Sequence, residues 1–578
     1  MLITIIYFIS VALLFVAILL CPKSQKKTGL ISWIILGSYG VFLTQAVTAG
    51  ILNLLHIGPG LGSVAAANFI VSVVILVFIV KKGVQAYTFS TLDLANVLII
   101  TAFVVLVMYH HHGIHLDISY ASVDGATHAG YARVVASSHT FPTNMFFSAL
   151  QTGLLMEAAT TLGIGFSVYK IFVLMECIYT LYSALLFWCL IRRHTERTAI
   201  RSFLFLPTLL YWCGYPLYTT VFGFSYFGCG VSILNVILLL TDLYMDENYH
   251  RAFVITALNS GLFSIFVCYT MFVPIAFFGL FITLVYIMWK KERKKLFSLK
   301  NALTMIAVFA LPSILGLIYS VKDVRHLAPG AGISRDGGGY FNLYSDFILL
   351  IPLAVFGLVH MIKSKKPLAE LFSSVLQAAL MAVFFIFAMQ GRVSSYYYMK
   401  NNNLAWLLLW VLVVYATDRM IASEKVHIIT FYALFLFILL MCRRGDGFVN
   451  RRNARFIDVP SGKLLNIYSY TDAWFKAPTR IPVDMLDLYH YVYDHTEPGE
   501  TICVNDEMMC RWFKTLTGND KEFSYGTAED LQKLPDEKTR YMLCVYSNIY
   551  NQTEEYLTSS YSGIVYRNSA GYLVRISE

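Results

Sequence analysis

Apolar runs of about 16–22 residues recur along most of this chain, and each is long enough for a helix to cross the hydrocarbon layer of a bilayer. The first is "MLITIIYFISVALLFVAILLC". Comparable runs fall near 2–21, 29–50, 65–80, 92–110, 166–191, 200–215, 226–243, 252–269, 271–289, 301–320, 346–362, 370–390, 403–418 and 426–442. A backbone surrounded by lipid must satisfy its own N–H and C=O groups, so such a chain is restricted to a bundle of helices. Composition agrees: 57% of the 578 residues are hydrophobic and only 14% are charged, with mean hydropathy +0.62. A soluble domain carries about a quarter charged residues. The expected class is a polytopic α-helical membrane protein with about 14 transmembrane helices. The run 200–215 and its neighbour are short enough to be broken or re-entrant. The first run lacks a basic n-region and a small-residue cleavage site, and it reads as a retained anchor.

The cations between the runs set the orientation. "KSQKK", "KK" (Lys81, Lys82), "RRHTERTAIR", "KKERKK", "KSKK" and "DRMIASEK" all fall on one side if the spans alternate. Short loops rich in Lys and Arg stay in the cytoplasm. The N-terminus and the intervening loops at about 111–165, 321–345 and 391–402 are then expected outside. The net charge of +9 is explained by these clusters and does not point to nucleic acid. One cluster, "RRGDGFVNRRNAR", follows the last run and would be external. Translocated domains often ignore the charge rule, so the C-terminal part is still expected outside. There the composition changes. "TICVND", "TRYMLCVYS" and "AGYLVRIS" read as short strands between turns, which divides the chain into a transmembrane domain, 1–442, and a small extracytoplasmic α/β domain, 443–578. Three of the ten cysteines lie in that tail. The odd number without CxxC spacing argues against a disulfide framework or a zinc site.

The polar groups of the external loops are the functional candidates, because ionisable side chains near lipid are costly. "DGATHAGYARVVASS" reads as a helix that carries Asp124, His128 and Ala132 on one face. An acid and a histidine one turn apart can do acid–base work. Helix capping, or an ion pair between Asp124 and Arg133, would explain the acid equally well. "TNMFFSALQTGLLMEAATTLG" reads as a second helix, lying at the membrane interface, with Thr143 or Asn144 as its N-cap. His110, His111, His112 and His115 attract attention as metal ligands. Consecutive helical residues point in different directions, so they cannot converge on one ion. No metal-binding set is assigned. The loop "VKDVRHLAPGAGISRDGGGYFNLYSD" brings arginines and a glycine run together, and Arg suits phosphate geometry. It lacks the GK[ST] of a nucleotide-binding loop. "QGRVSSYYYMKNNN" places Arg392 and Lys400 around three tyrosines, which are an aromatic belt or a surface for a sugar or lipid carrier. "YWCGYPLYTTVFGFSYFG" is aromatic and nearly uncharged, suited to packing or to a polyprenyl groove.

Taken together, "ASVDGATHAGYARVV" in the first large external loop, the many spans with short cytoplasmic turns, "RDGGGYFNLYSD" in a later external loop and the terminal α/β domain resemble the GT-C superfamily of integral-membrane glycosyltransferases. The resemblance implies a GT-C-like fold, a polyprenyl-phosphate-linked sugar donor and a glycan, wall-polymer or lipid acceptor at the outer face of the cell membrane. Asp124 best matches the family's acid, which deprotonates or orients the acceptor. Asp117 is the second match, and His128 stands beside the first. Arg325, Arg335, Arg392 and Lys400 match the donor-phosphate ligands in kind and side. Three spans precede the pair that bears the acidic loop, and that loop has no DxD or Asp-Glu pair, which leaves a divalent-cation requirement open. Two other functions share the carrier. A lipid-linked oligosaccharide flippase or transporter predicts ionisable residues inside spans and two similar halves. A glycan polymerase or ligase differs from the transferase in product size.

Overall fold

In the computed structural model the residues described are 1–20, 28–120, 122–140, 146–163, 168–195, 198–245, 251–291, 298–326, 350–390, 395–420, 425–426, 428–433, 436, 480–481, 483–495, 501–504, 506–517, 522–525, 539–545 and 564–575. The transmembrane part comprises α1 (Leu2–Leu19), β1 (Thr28–Gly29), α2 (Leu30–Leu54), α3 (Leu61–Lys82), β2 (Tyr87–Thr88), α4 (Thr91–His112), α5 (Asp124–Ser138), α6 (Phe146–Thr161) and α7 (Tyr169–His194). It continues with α8 (Thr198–Arg201), α9 (Phe205–Trp212), α10 (Tyr215–Val221), α11 (Ser225–Met245), α12 (Arg251–Cys268), a 3-10 turn (Thr270–Phe272), α13 (Val273–Lys291), α14 (Leu299–His326), α15 (Ile351–Ser364), α16 (Leu368–Met389) and α17 (Ser395–Met420). Among the described residues ten helices are long and apolar enough to cross a membrane, so the chain is a multi-pass membrane protein. The expected run 426–442 lies largely outside the described residues.

The run expected at 200–215 is broken. α9 ends at Trp212 and α10 starts at Tyr215 with Pro216 in its first turn, where the missing proline N–H costs nothing. Gly214 sits at the break because a Cβ there would stand 2.5 Å from the Trp406 ring. The Trp406 indole N–H donates to the Tyr211 carbonyl (2.9 Å), which also accepts from the Gly214 N–H (3.2 Å).

The two ends of the bundle differ in chemistry. At one end Arg192 forks onto Asp93 (2.6 and 3.1 Å), the Arg193 guanidinium donates to Asp242 (3.3 Å), and the Tyr415 hydroxyl donates to the Lys366 carbonyl (2.9 Å). β1 and β2 pair there, just after "KSQKK" and "KK". The opposite end holds α5, the last turn of α4 and the first turns of α11 and α17. α7 joins the two ends over 26 residues, about 39 Å of helix. α6, expected at the interface, is instead mostly buried and packs on α2, α5, α7, α11 and α12. Its Gln151 amide donates to the Phe42 carbonyl (3.3 Å), and its Glu157 carboxylate accepts from the Leu61 N–H (3.0 Å), capping α3.

The C-terminal part contains α18 (Val483–His495), β3 (Thr501–Val504), α19 (Glu507–Thr517), β4 (Glu522–Tyr525), β5 (Thr539–Val545), β6 (Ile564–Arg567) and β7 (Gly571–Arg575). The sheet order is β4-β3-β5-β7-β6. β3 pairs parallel with β4 and β5, while β7 pairs antiparallel with β5 and β6. α18 and α19 cover one face through Leu488, Tyr489, Trp512 and Phe513, against Ile502, Val504, Leu543 and Leu573. The same core runs on without interruption into Tyr120, Ala126, Ala129, Phe172 and Val173. The tail therefore shares a hydrophobic core with the membrane-proximal helix α5.

Candidate functional site

Asp124 is the first residue of α5, where the free N–H groups of a helix favour a negative charge. Its own N–H donates to Ser122 Oγ (3.2 Å), and that hydroxyl donates to the Phe222 carbonyl (2.8 Å). The side chain is half-buried. Arg133, a conceivable ion-pair partner, points elsewhere and donates to the Thr515 and Leu516 carbonyls at the end of α19.

One turn further on, His128 is buried. Its Nδ1–H donates to the Gly223 carbonyl (2.6 Å), and its ring meets Tyr226 edge-on at 4.9 Å. Burial pushes the imidazole pKa below its ordinary value, with Lys400 acting in the same sense and the Gly223 bond and Asp124 opposing it. The ring is therefore neutral at physiological pH and fixed in one tautomer. Gly223 itself has φ +73°, and a Cβ there would lie 2.6 Å from the Gly125 Cα. Only glycine permits the turn before α11 to press onto α5 this closely.

The third component comes from α17. The Lys400 ammonium stands 5.8 Å from the Phe227 ring centroid and 5.5 Å from that of Tyr269. These distances are within reach of cation–π attraction. Burial pulls its pKa down to about 8, with the Asp124 carboxylate opposing that shift. Neighbouring bonds hold this stretch of α17 in place. The Gln377 amide donates to the Asn401 carbonyl (3.1 Å) and the Asn402 amide to Tyr215 Oη (2.8 Å). Tyr226, Phe227 and Tyr269 pack with centroids 4.2–5.3 Å apart and form an aromatic wall. A carboxylate, a cation and aromatic faces thus meet at the end of the bundle remote from the basic clusters. That set can accept a hydroxyl proton, balance a phosphate and pack on a sugar ring or an isoprenoid chain.

Of the sequence candidates, Asp124, His128 and Lys400 come together. Asp117 lies apart, in a cleft of about 580 Å³ with His110, His115 and Arg480. Arg480 belongs to the C-terminal part and donates to the His110 and His111 carbonyls (2.6 and 3.1 Å). His111 and His112 each donate one ring N–H to a backbone carbonyl, that of Ser119 (2.8 Å) and that of Asp117 (2.9 Å). Arg325 is in the last turn of α14, and its side chain is outside what is described. Arg335 and Arg392 lie outside the described residues. Tyr226 and Phe227 lie in "YWCGYPLYTTVFGFSYFG", the stretch read as suited to packing or to a polyprenyl groove, whereas Tyr269 was not singled out. The signal for Tyr269 was present in "CYTMFVP", where a helix breaks ahead of a proline.

No family model matches the chain, and no curated protein matches it. Solved structures similar to it include ArnT from Cupriavidus metallidurans bound to undecaprenyl phosphate, with 13% identity and a TM-score of 0.47 over 83% of this chain and 97% of that chain. Another is the Archaeoglobus fulgidus oligosaccharyltransferase in the apo form, with 10% identity and a TM-score of 0.45 over 83% of this chain and 74% of that chain.

Proposed function

We propose that this chain is a membrane glycosyltransferase that moves a sugar from a polyprenyl-phosphate donor to an acceptor hydroxyl at the outer face of the membrane. The observation that carries the reading is the electrostatic coupling of Asp124, from α5, to Lys400, from α17, whose ammonium stands over the rings of Phe227 and Tyr269. In this reading the acceptor oxygen forms a bond to the sugar's anomeric carbon as the bond from that carbon to the phosphate oxygen breaks. The Asp124 carboxylate takes the acceptor's proton. The polyprenyl phosphate leaves with the electron pair, and its growing negative charge is balanced by Lys400. His128 is a positioning residue: its bond to Gly223 sets where α5, and so Asp124, stands. Arg325, Arg335 and Arg392 are proposed to bind the donor phosphate with Lys400, and Asp117 to line the approach of the acceptor. The proposed acceptors are a glycan, a wall polymer or a lipid. A divalent cation beside Asp124 is compatible with this chemistry.

The test is Asp124→Asn in the full chain, reconstituted in liposomes with a polyprenyl-phosphate sugar. Loss of a general base costs on the order of 10²–10⁴-fold in rate. The variant is expected to lose sugar transfer on that scale while keeping wild-type thermal stability. Unchanged transfer would remove Asp124 from the chemistry and the proposal with it.

A further inference from the structure

A second cluster lies at the opposite end of the bundle, among the basic loops. His194 ends α7, Asp242 is in the last turns of α11, and Glu370 is in the first turn of α16. His194 Nε2 stands 2.9 Å from Glu370 Oε1 and 3.3 Å from Asp242 Oδ2. One donor atom from each of the three residues lies within 4.8 Å of the other two.

A structural ion pair is the simplest account of an imidazole near a carboxylate. Two observations point further. Both carboxylates converge on the same ring nitrogen, which has a single proton to give. Glu370 is fully buried, and its Oε2 has no hydrogen-bond partner. Leaving such an oxygen unsatisfied is costly, and a cation is one way to satisfy it. The spacing also suits a metal. Ligand atoms about 2.0–2.2 Å from a tetrahedral zinc-sized ion stand about 3.3–3.6 Å from each other. His194 Nε2 and Asp242 Oδ2 are at that spacing (3.3 Å), and the 2.9 Å to Glu370 Oε1 would open slightly around an ion.

We infer that His194, Asp242 and Glu370 form a site for a first-row divalent cation that ties α7, α11 and α16 together at the end of the bundle remote from the candidate active site. One imidazole and two carboxylates make a donor set suited to zinc or manganese. Glu370 supplies one negative charge, and Asp242 a second that it shares with the Arg193 guanidinium (3.3 Å). The site is a structural fastening and takes no part in sugar transfer.

The experiment uses the full-length, tag-free protein in detergent, stripped with a chelator, equilibrated with Zn²⁺ or Mn²⁺ and desalted. Metal analysis is expected to find about one equivalent held per chain, with a raised melting temperature. Glu370→Gln and Asp242→Asn are each expected to lose that equivalent, and Asp124→Asn to keep it. Failure of the wild type to retain metal, or full retention by Glu370→Gln, would overturn the site in favour of an imidazolium shared between two carboxylates. Should the variants fold poorly, X-ray absorption at the metal edge of the wild-type protein decides. One imidazole with oxygen donors supports the site. A shell without imidazole, or with several, overturns it.

Discussion

A lysine partly withdrawn from water gives up its proton at lower pH, and Lys400 does so at about 8. An unfolded lysine keeps its proton to about pH 10.4. Between these values the unfolded chain binds more protons than the folded one, so this group favours the folded state more as pH rises through the window. Donor binding runs the other way, because only the ammonium balances a phosphate. The KM for a polyprenyl-phosphate donor is therefore expected to climb above about pH 8, and Lys400→Gln to show a raised KM without that limb. Steady-state kinetics across the range reads both, and a pH-independent wild-type KM would exclude Lys400 from the donor site. Gly223 gives a second prediction at this scale. Its positive φ and the 2.6 Å approach to Gly125 leave no space for a methyl group between two backbones. Gly223→Ala is expected to cost about 1–3 kcal/mol and to displace the carbonyl that holds His128. A lowered melting temperature together with reduced transfer checks it, whereas wild-type values for both would mean that α5 and the turn are not locked.

The helix read from "DGATHAGYARVVASS" is α5, which begins and ends where the sequence placed it, because its alanines favour helix and His139 closes it in the left-handed conformation. What α5 packs against was not legible. The buried face is Gly125, Ala126, Ala129 and Ala132, a row of small residues too weakly apolar to announce a partner. Small residues let α19 approach closely, so that Thr515 Oγ1 donates to the Ala126 carbonyl (2.8 Å). Trp512 of α19 stacks on Tyr120, with ring centroids 5.8 Å apart. The same reasoning explains why the division near residue 443 did not foretell a shared core: composition marks where a chain turns polar, not where its apolar residues dock. Truncating a buried tryptophan costs about 3–5 kcal/mol. Because Trp512 belongs to a core common to both parts, Trp512→Ala is expected to speed hydrogen exchange in α5 as well as in α19. Faster exchange in α19 alone would show that the C-terminal part stands by itself.

At the scale of the whole molecule, the helices arrange the polar groups into two chemically distinct ends. The basic loops were legible because lysines and arginines are cheap to recognise in short apolar-flanked clusters, and the contacts of Arg192, Arg193 and Lys366, with that of His194 to Glu370, gather two of those clusters at one end. The ion-pair partners Asp93, Asp242 and Glu370 were not singled out, because each is a lone acid at the edge of an apolar run and gains meaning only when helices distant in sequence meet. The proposed chemistry needs these ends to face opposite compartments, with Asp124 and Lys400 outside. Single cysteines can report this, since the described native cysteines are buried or half-buried. His115 is exposed beside the candidate site's end, and Lys363 is exposed at the basic end. A membrane-impermeant maleimide added to intact cells is expected to label His115→Cys and to leave Lys363→Cys unlabelled until the membrane is opened. The parent chain serves as the blank for both. The reverse pattern would put Asp124 in the cytoplasm, where the acceptors proposed here are not presented. Labelling of both without permeabilisation would mean that the two ends do not lie on opposite sides of a bilayer, and the division of labour between them would fail.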